Sequence, residues 1–442
     1  MTELPPYAGL APESSTARVE DAVLAAVDAG QRDALDLLAT LVAIPSTGGS
    51  AGEVEIQHVL ADVLHGDGFD VELWPLDLEA LTADPDFPGM EVERSAAYGL
   101  VATLAGHAPD LGRSLLVDGH TDVVPPGDPA AWSGDPFTLR RTEHDGAEAL
   151  VGRGVCDMKA GLVASIAAAR ALRSAGIRLA GDLTIAPVVG EEDGGLGTFA
   201  LLRRGVRADA CVIPEPTDLD VVPANAGALT FRLRVAGRAT HASRRTEGVS
   251  AISNLVPLLA ALERFEARRN ADVDPLVRRW PLAYPLSIGT VHAGDWASTV
   301  PDLLVAEGRL GVALDETPAQ ARAALEACVA EVNASDEFLR AHPVTVQWWG
   351  GQFAPGRCDD PAFLARVQHA HHVARPNARV QQVYGAPYGS DLRLLAPSMS
   401  TLQYGPGDTR EAHAPDESVL VDDVLAATRA LAVLYLEHCH VV

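Results

Sequence analysis

The run Gly119-His120-Thr121-Asp122-Val123-Val124-Pro125 sets an imidazole and a carboxylate two positions apart. In extended chain, residues i and i+2 point to one side, so His120 and Asp122 share a face. The preceding Ser114-Leu115-Leu116-Val117-Asp118 is apolar enough to be a buried strand. The pair then stands at the strand's C-terminal end, where open α/β sheets keep their sites. A histidine and an acid held there could bind a metal or form an acid–base pair.

Other chemistry-bearing residues occupy matching places. Asp157 lies in Gly152-Arg153-Gly154-Val155-Cys156-Asp157-Met158-Lys159-Ala160-Gly161, just before an Ala-rich helix over residues 159–175. Taken alone, it reads as an acid favoured by the helix N-terminus. A strand over residues 182–189 runs into Gly190-Glu191-Glu192-Asp193-Gly194-Gly195. Three adjacent carboxylates repel one another unless a cation or solvent relieves them. A strand over residues 210–214 ends at Glu215-Pro216-Thr217, and far down the chain comes Glu411-Ala412-His413-Ala414-Pro415. Together His120, Asp157, Glu192, Glu215 and His413 offer two imidazoles and three carboxylates, a set that suits two divalent ions of the zinc type. Five ligands give each ion three only if one carboxylate bridges, which leaves a position for water. Glu191 is adjacent to a ligand but not needed as one. It can take a proton from the activated water and pass it to a leaving amine. Asp122 can accept a hydrogen bond from His120 and so orient the ring.

The elements that must position these groups follow from length and pattern. A chain of 442 residues is too long for one ordinary domain. Its 48% hydrophobic content supports sizeable cores. Residues 15–44 read as one or two helices, with Asp33 an early cap. Residues 52–67 read as a helix, 69–74 as a strand, 77–95 as loop and 97–105 as a strand. From Asn225 the texture changes. Strands over 226–235, 285–292, 303–312 and 344–349 alternate with helices over 250–269 and 318–332. That β-α-β-β-α-β order is ferredoxin-like. The expected organisation is a catalytic α/β domain from residues 1–224 and 352–442, interrupted by an inserted domain over 225–351. Helices over 361–373 and 419–436 close the chain. His369, His371, His372, His438 and His440 lie in or near them and read as surface residues.

Composition excludes several function classes. The net charge of −26 argues against nucleic acid or anionic membrane as partner. No apolar run reaches the length of a membrane span. Residues 1–20 lack the basic-then-apolar pattern of a signal peptide. The five cysteines are scattered, as expected in a reducing compartment. A cytoplasmic protein is the expectation. Lys159 is the only lysine in the chain, and it sits inside a motif.

Five stretches, taken in order, resemble the acetylornithine deacetylase and succinyl-diaminopimelate desuccinylase family. They are Gly119–Pro125, Gly152–Gly161, Gly190–Gly195, Glu215-Pro216-Thr217 and Ala412-His413-Ala414-Pro415. The family also holds aminoacylases, carboxypeptidases and dipeptidases with co-catalytic zinc. The resemblance implies a zinc-peptidase-like catalytic domain with a mixed central sheet flanked by helices, and an inserted α+β lid and dimerisation domain. It implies two Zn(2+) per chain, with Co(2+) able to substitute. His120 and Glu215 would hold one ion, Glu192 and His413 the other. Asp157 would bridge them, its bond to Met158 being cis. Glu191 would be the general base and Asp122 the orienter of His120. His241, in Gly237-Arg238-Ala239-Thr240-His241-Ala242-Ser243, resembles the residue that reaches a partner subunit's site and stabilises an oxyanion, which makes a homodimer the expected assembly. Arg309 and Arg393 fall where family members bind a substrate carboxylate, a role that suits a planar guanidinium. Where many relatives carry Asn, this chain has Ser298 in Ser298-Thr299-Val300-Pro301, a shorter donor. The expected function is metal-dependent hydrolysis of the amide in an N-acyl amino acid or related small carboxylate. A dipeptidase or carboxypeptidase is the alternative with the same centre. A non-catalytic carboxylate-binding protein is the more distant one.

Overall fold

The structure, a computed structural model, describes residues 13–144 and 146–442. The N-terminal stretch read above as lacking a signal peptide therefore lies largely outside the described residues. The main sheet is mixed and has nine strands among those described. Its path runs Asp70–Pro75, Tyr98–Leu104, Leu183–Val188, Leu115–His120, Ala210–Ile213, Ser400–Gln403, Val221–Asn225 and Gly356–Arg357, with Val383–Ala386 beside Val221–Asn225. The four central strands, Leu183–Val188, Leu115–His120, Ala210–Ile213 and Ser400–Gln403, are mutually parallel. Their C-terminal ends therefore fall on one edge. Strand Leu115–His120 is buried at every position, and its first half, Leu115-Leu116-Val117, is the apolar run expected of a strand covered on both faces.

Helices Ala160–Ser174 and Val421–Cys439 pack together over this sheet and are buried along most of their lengths. Small side chains make that approach possible: Ala164, Ala168, Ala427 and Ala430 are all in the main core. A helix apolar on nearly every side belongs in an interior. The N-terminal segment forms two helices, Glu13–Ala29 and Gln31–Val42, which meet at Gly30. The second is capped at Gly30, with Asp33 inside its first turn.

Between Asn225 and Gly356 the chain builds a second sheet, in the order Leu286–Ala293, Leu303–Val312, Gly227–Ala236, Thr345–Phe353, all antiparallel. Helices Ala251–Arg269 and Pro318–Ser335 cover it over a core of its own, including Phe231, Leu233, Leu258, Leu304 and Leu325. Pro318 at the first helical position and a Thr317–Gln320 capping box start the second of these helices.

Three readings need correction. Residues 77–95 are not all loop, because Asp77 caps a short helix, Leu78–Ala83, by accepting from the Ala80 N–H at 3.0 Å. A small sheet of Arg140–His144, Ala147–Val151 and Ser418–Leu420 was not foreseen. Asp145-Gly146 is a hairpin signal, and Gly146 takes φ 82° there. His371 and His438 are not surface residues. His371 is buried with Nδ1 2.9 Å from the Tyr404 hydroxyl, and His438 is buried with Nε2 3.2 Å from the Ser114 carbonyl. Each lies on the helix face turned to the core, which two close-spaced groups of histidines conceal.

Candidate active site and metal centre

The edge formed by the four parallel strands collects the acids and imidazoles singled out above. Strand Leu115–His120 delivers His120 directly, and the Thr121 N–H continues the ladder to Val188 at 2.9 Å. Strand Leu183–Val188 leads into the turn 190–195. Gly190 (φ 69°) and Gly195 (φ 82°) bracket it in the left-handed region that favours glycine. That reversal keeps Glu191 and Glu192 at the edge. Strand Ala210–Ile213 leads to Glu215, and Ser400–Gln403 leads to the loop bearing His413.

The groups converge closely. His120 Nε2 is 3.0 Å from Asp157 Oδ1, and His413 Nε2 is 3.5 Å from Asp157 Oδ2 and 3.1 Å from the Glu192 carboxylate. Asp157 thus stands between the two imidazoles. Potential ligand atoms of His120, Glu191 and Glu215 lie within 4.8 Å of one another, and so do those of His120, Asp157 and Glu192. The Asp157–Met158 bond is cis.

Electrostatics make this a site for cations. Burial raises the Glu215 carboxyl well above its ordinary value, with Asp157 adding to the shift and His120 opposing it. Burial also raises Glu192, helped by Asp157 and opposed by His413. Glu191 is pushed well up by burial, against His120 and with Asp391 and Glu215. Burial opposes charge on His120, yet the Asp157 hydrogen bond, Glu215 and Asp122 outweigh it and raise the ring well above 6.5. Hydrogen bonds to Asp157 and Glu192 carry His413 up to about 11. Asp157 alone among the acids is held low, since bonds from both imidazoles exceed the effect of burial. Four acids packed this tightly with two imidazoles have more negative charge than the protein neutralises. Divalent ions with nitrogen and oxygen ligands fit the donor set.

The Asp122 reading needs a correction. Its carboxylate is 3.8 Å from His120 Nδ1, too far for a hydrogen bond, and the backbone carbonyl of Asp122 accepts from that nitrogen at 2.9 Å. With Nδ1 donating to that carbonyl, Nε2 is the nitrogen turned toward Asp157, donating to it when the ring is charged and offering a lone pair to a metal when the ring is neutral. The Asp122 carboxylate instead accepts the backbone N–H groups of Glu191 (3.3 Å) and Glu192 (3.2 Å). It orients the glutamate pair, and only its main chain orients the ring.

Glu417 is a residue the sequence reading passed over. Buried, it accepts the N–H groups of Gly154 (3.0 Å), Cys156 (2.8 Å) and Asp157 (3.0 Å), and pairs with Arg153 at 2.6 Å. Arg153 also reaches the His413 carbonyl at 3.4 Å. The Glu417–Arg153 pair thus holds the loop of Asp157 and, through Arg153, ties it to the segment of His413. The only signal of Glu417 in sequence is its place four residues after His413. Lys159 holds the same loop from the other side. Its buried ammonium donates to the Leu41 and Ile44 carbonyls, at 2.9 and 3.1 Å, at the end of helix Gln31–Val42. Burial lowers it to about 7, against Glu417 and Asp122.

The remaining candidates lie around the turn and beyond it. Arg393 is buried, donates to the Gly194 and Ser390 carbonyls at 2.7 Å each, and stacks 3.8 Å over the Phe353 ring. Arg309, on strand Leu303–Val312, lies 5.5 Å from the same ring and pairs with Glu91 at 3.0 Å. His241 is exposed in the second sheet's loops, its Nδ1 2.8 Å from the Ser243 hydroxyl and its backbone bridged to Thr299. It belongs to neither convergent cluster within the chain.

Residues 116–437 match the family described as Peptidase family M20/M25/M40. An N-formyl-4-amino-5-aminomethyl-2-methylpyrimidine deformylase of Halalkalibacterium halodurans is 25% identical over 451 residues, covering 96% of this chain and 98% of the relative. The dipeptidase Dug1p of Saccharomyces cerevisiae has a similar fold, with TM-score 0.74 at 16% identity over 95% of this chain and 98% of that one. So does YXEP of Bacillus subtilis, described as a dinuclear metal binding peptidase, with TM-score 0.58 at 17% identity over 94% of this chain and 100% of that one.

Proposed function

We propose a function from one premise: the chain belongs to peptidase family M20/M25/M40. It hydrolyses an amide bond, and the substrate class is an N-acyl amino acid or related small carboxylate. The observation that carries this reading is the convergence of His120, Asp157, Glu192, Glu215 and His413 beside a buried acid, Glu191. In this reading His120 and Glu215 would hold one zinc ion, Glu192 and His413 would hold the other, and Asp157 would serve both. Cobalt can replace zinc. Such ions, when bound, polarise the amide carbonyl and acidify a water.

The chain's own residues do the rest. Glu191 is raised by burial, so it can accept a proton from the attacking water and give it to the departing amine. Asp122 holds Glu191 by its backbone N–H and keeps the carboxylate at the edge. Arg309 and Arg393 recognise the substrate carboxylate, and the Phe353 ring they share sets where it lies.

The inserted segment, residues 225–351, acts as a lid and pairs with a second copy of the chain. Its edge strand, Leu286–Ala293, is largely exposed, and Ile252, Val256 and Val291 present apolar surface nearby. His241 of the second copy then supplies the oxyanion donor that neither cluster contains. A cytoplasmic location accords with five free cysteines. No described helix is long and apolar enough to cross a membrane.

The test is a panel of N-formyl, N-acetyl and N-succinyl amino acids with dipeptides, assayed after zinc or cobalt loading. Hydrolysis of the acyl compounds with two ions per chain is expected. Preference for dipeptides would make the protein a dipeptidase. Binding of carboxylates without turnover would make it a non-catalytic binder.

A further inference from the structure

Residues 88–94 touch both the glutamate turn and the inserted sheet. At one end the Arg94 guanidinium is buried between two carboxylates. It donates to Glu53 through Nε and Nη2, both at 2.9 Å, and to Asp193 through Nη1 and Nη2 at 2.9 and 2.8 Å. Asp193 directly follows Glu191 and Glu192. A buried guanidinium paired in this way cannot shift relative to its two partners without leaving a charge unpaired. The Arg94 end of the strap and Asp193 are therefore held together and respond as one unit.

Glu91 bonds on both sides of the gap. Its backbone N–H donates to Asp193 at 3.1 Å. Its side chain accepts from the Thr230 hydroxyl (2.7 Å), Arg309 Nη2 (3.0 Å) and the Gly351 N–H (3.2 Å). Thr230 and Arg309 are cross-strand partners in the inserted sheet, and Gly351 lies on the strand by which the chain leaves it. The Gln352 N–H adds a bond to the Pro88 carbonyl at 3.0 Å. The backbones leave no slack between these parts. A Cβ on Gly194 would lie 2.0 Å from the Gly89 carbonyl oxygen, and a Cβ on Gly89 would lie 2.1 Å from that of Gly350.

We propose that Glu91 is a positioning residue: through the strap 88–94 it couples the placement of the inserted sheet to the turn that carries Glu191 and Glu192. The proposal rests on the reading of those two glutamates as acting groups. A movement of the inserted sheet draws on the Glu91 carboxylate, and the same residue's N–H passes the displacement to Asp193. The Arg309–Glu91 pair is part-exposed, with Arg309 at 42%, and so can adjust internally, whereas the buried Arg94 cluster responds only as a unit.

The experiment is hydrogen exchange by mass spectrometry on the protein as purified, comparing it with Glu91→Ala and Glu91→Gln. Glu91→Ala should speed exchange about tenfold in peptides covering 190–195, and Glu91→Gln about threefold, because an amide keeps the Thr230 and Gly351 bonds. A peptide covering strand Ala210–Ile213 should not change. If Glu91→Ala does not fold, the Glu91→Gln result decides alone. Unchanged exchange over 190–195, or a rise equal in both peptides, would overturn the coupling. On an N-acyl amino acid that the zinc-loaded protein hydrolyses, kcat should fall about tenfold in Glu91→Ala with KM within about threefold and zinc content intact. Loss confined to KM would also overturn it. Should the unaltered protein hydrolyse no amide, the proposed function fails while the exchange result still decides the coupling.

Discussion

The edge of the main sheet and the His241 loop present their reactive groups in opposite ways. At the edge His120, Glu191 and Glu215 are buried, and Asp157 and His413 are tied to other site groups within 3.5 Å. Asp122 and Glu417 hold the backbone on which these groups stand. His241 is exposed, and its ring bonds to Ser243 in its own loop. The first arrangement is preorganised and carries the cost of mutual repulsion between acids. The second, under the proposed function, would be a donor that lies apart from both clusters among the described residues. If the proposed division holds, the site would be complete for cations within one chain and incomplete for catalysis until a second copy adds His241.

The largest effect that would test this contrast is at the edge. Glu191→Gln should lower turnover by about 10² or more while metal content stays near two ions per chain, measured by elemental analysis. Glu192→Gln should instead weaken one ion. Reversal of the two outcomes would exchange their roles.

The loop comes next. His241→Ala should lower kcat by about 10² with no loss of metal, since it removes only an oxyanion donor. Mixing it with Glu191→Gln, once subunit exchange is verified, should restore about a quarter of normal activity, because half the dimers are mixed and each holds one intact site. No recovery, or a fully active monomer, would place both regions' functions within a single chain or remove His241 from the chemistry.

A smaller effect is expected at Glu417, which supports a ligand without being one. Glu417→Gln should weaken metal binding by about tenfold, read by competition with a chelator. An unchanged affinity would mean that the Asp157 loop is held by Lys159 and its own turn.

The smallest effect concerns stability rather than turnover. His371 is lowered by burial and by Arg375 and Arg379 to about 4, and His438 by burial and Arg366 to about 4, both from 6.5. The unfolded chain therefore takes up protons near pH 6.5 that the folded chain refuses until about pH 4. Each histidine's share of stability is present above pH 6.5 and is lost as pH falls toward 4, up to about 3 kcal/mol apiece. Denaturant unfolding at pH 7 and pH 5 should show that loss, and His371→Asn should make it shallower. An unchanged slope would show that His371 is solvated despite its position.

Local sequence determined which elements form and what chemistry they end in. The apolar run before His120, the one before Glu191 and the one before Glu215 each specify a buried strand. Parallel pairing then puts their ends on one edge. The alternation of strands and helices after Asn225 likewise specified the second sheet. The contacts between residues far apart in the chain were decided only by the tertiary structure. Sequence spacing suggested that the Asp122 side chain meets His120, yet the turn places that carboxylate under the N–H groups of residues 191 and 192. Glu417 finds the backbone of residues 154–157, and Arg94 finds Glu53 and Asp193. The five clustered histidines looked alike, and packing buried His371 and His438 while leaving His369 exposed. The physical reason is the range of the forces involved. Strand and helix patterns depend on neighbours within a few residues. A buried polar group must find a partner wherever the fold has brought one, and that partner's number in the chain carries no mark of the pairing.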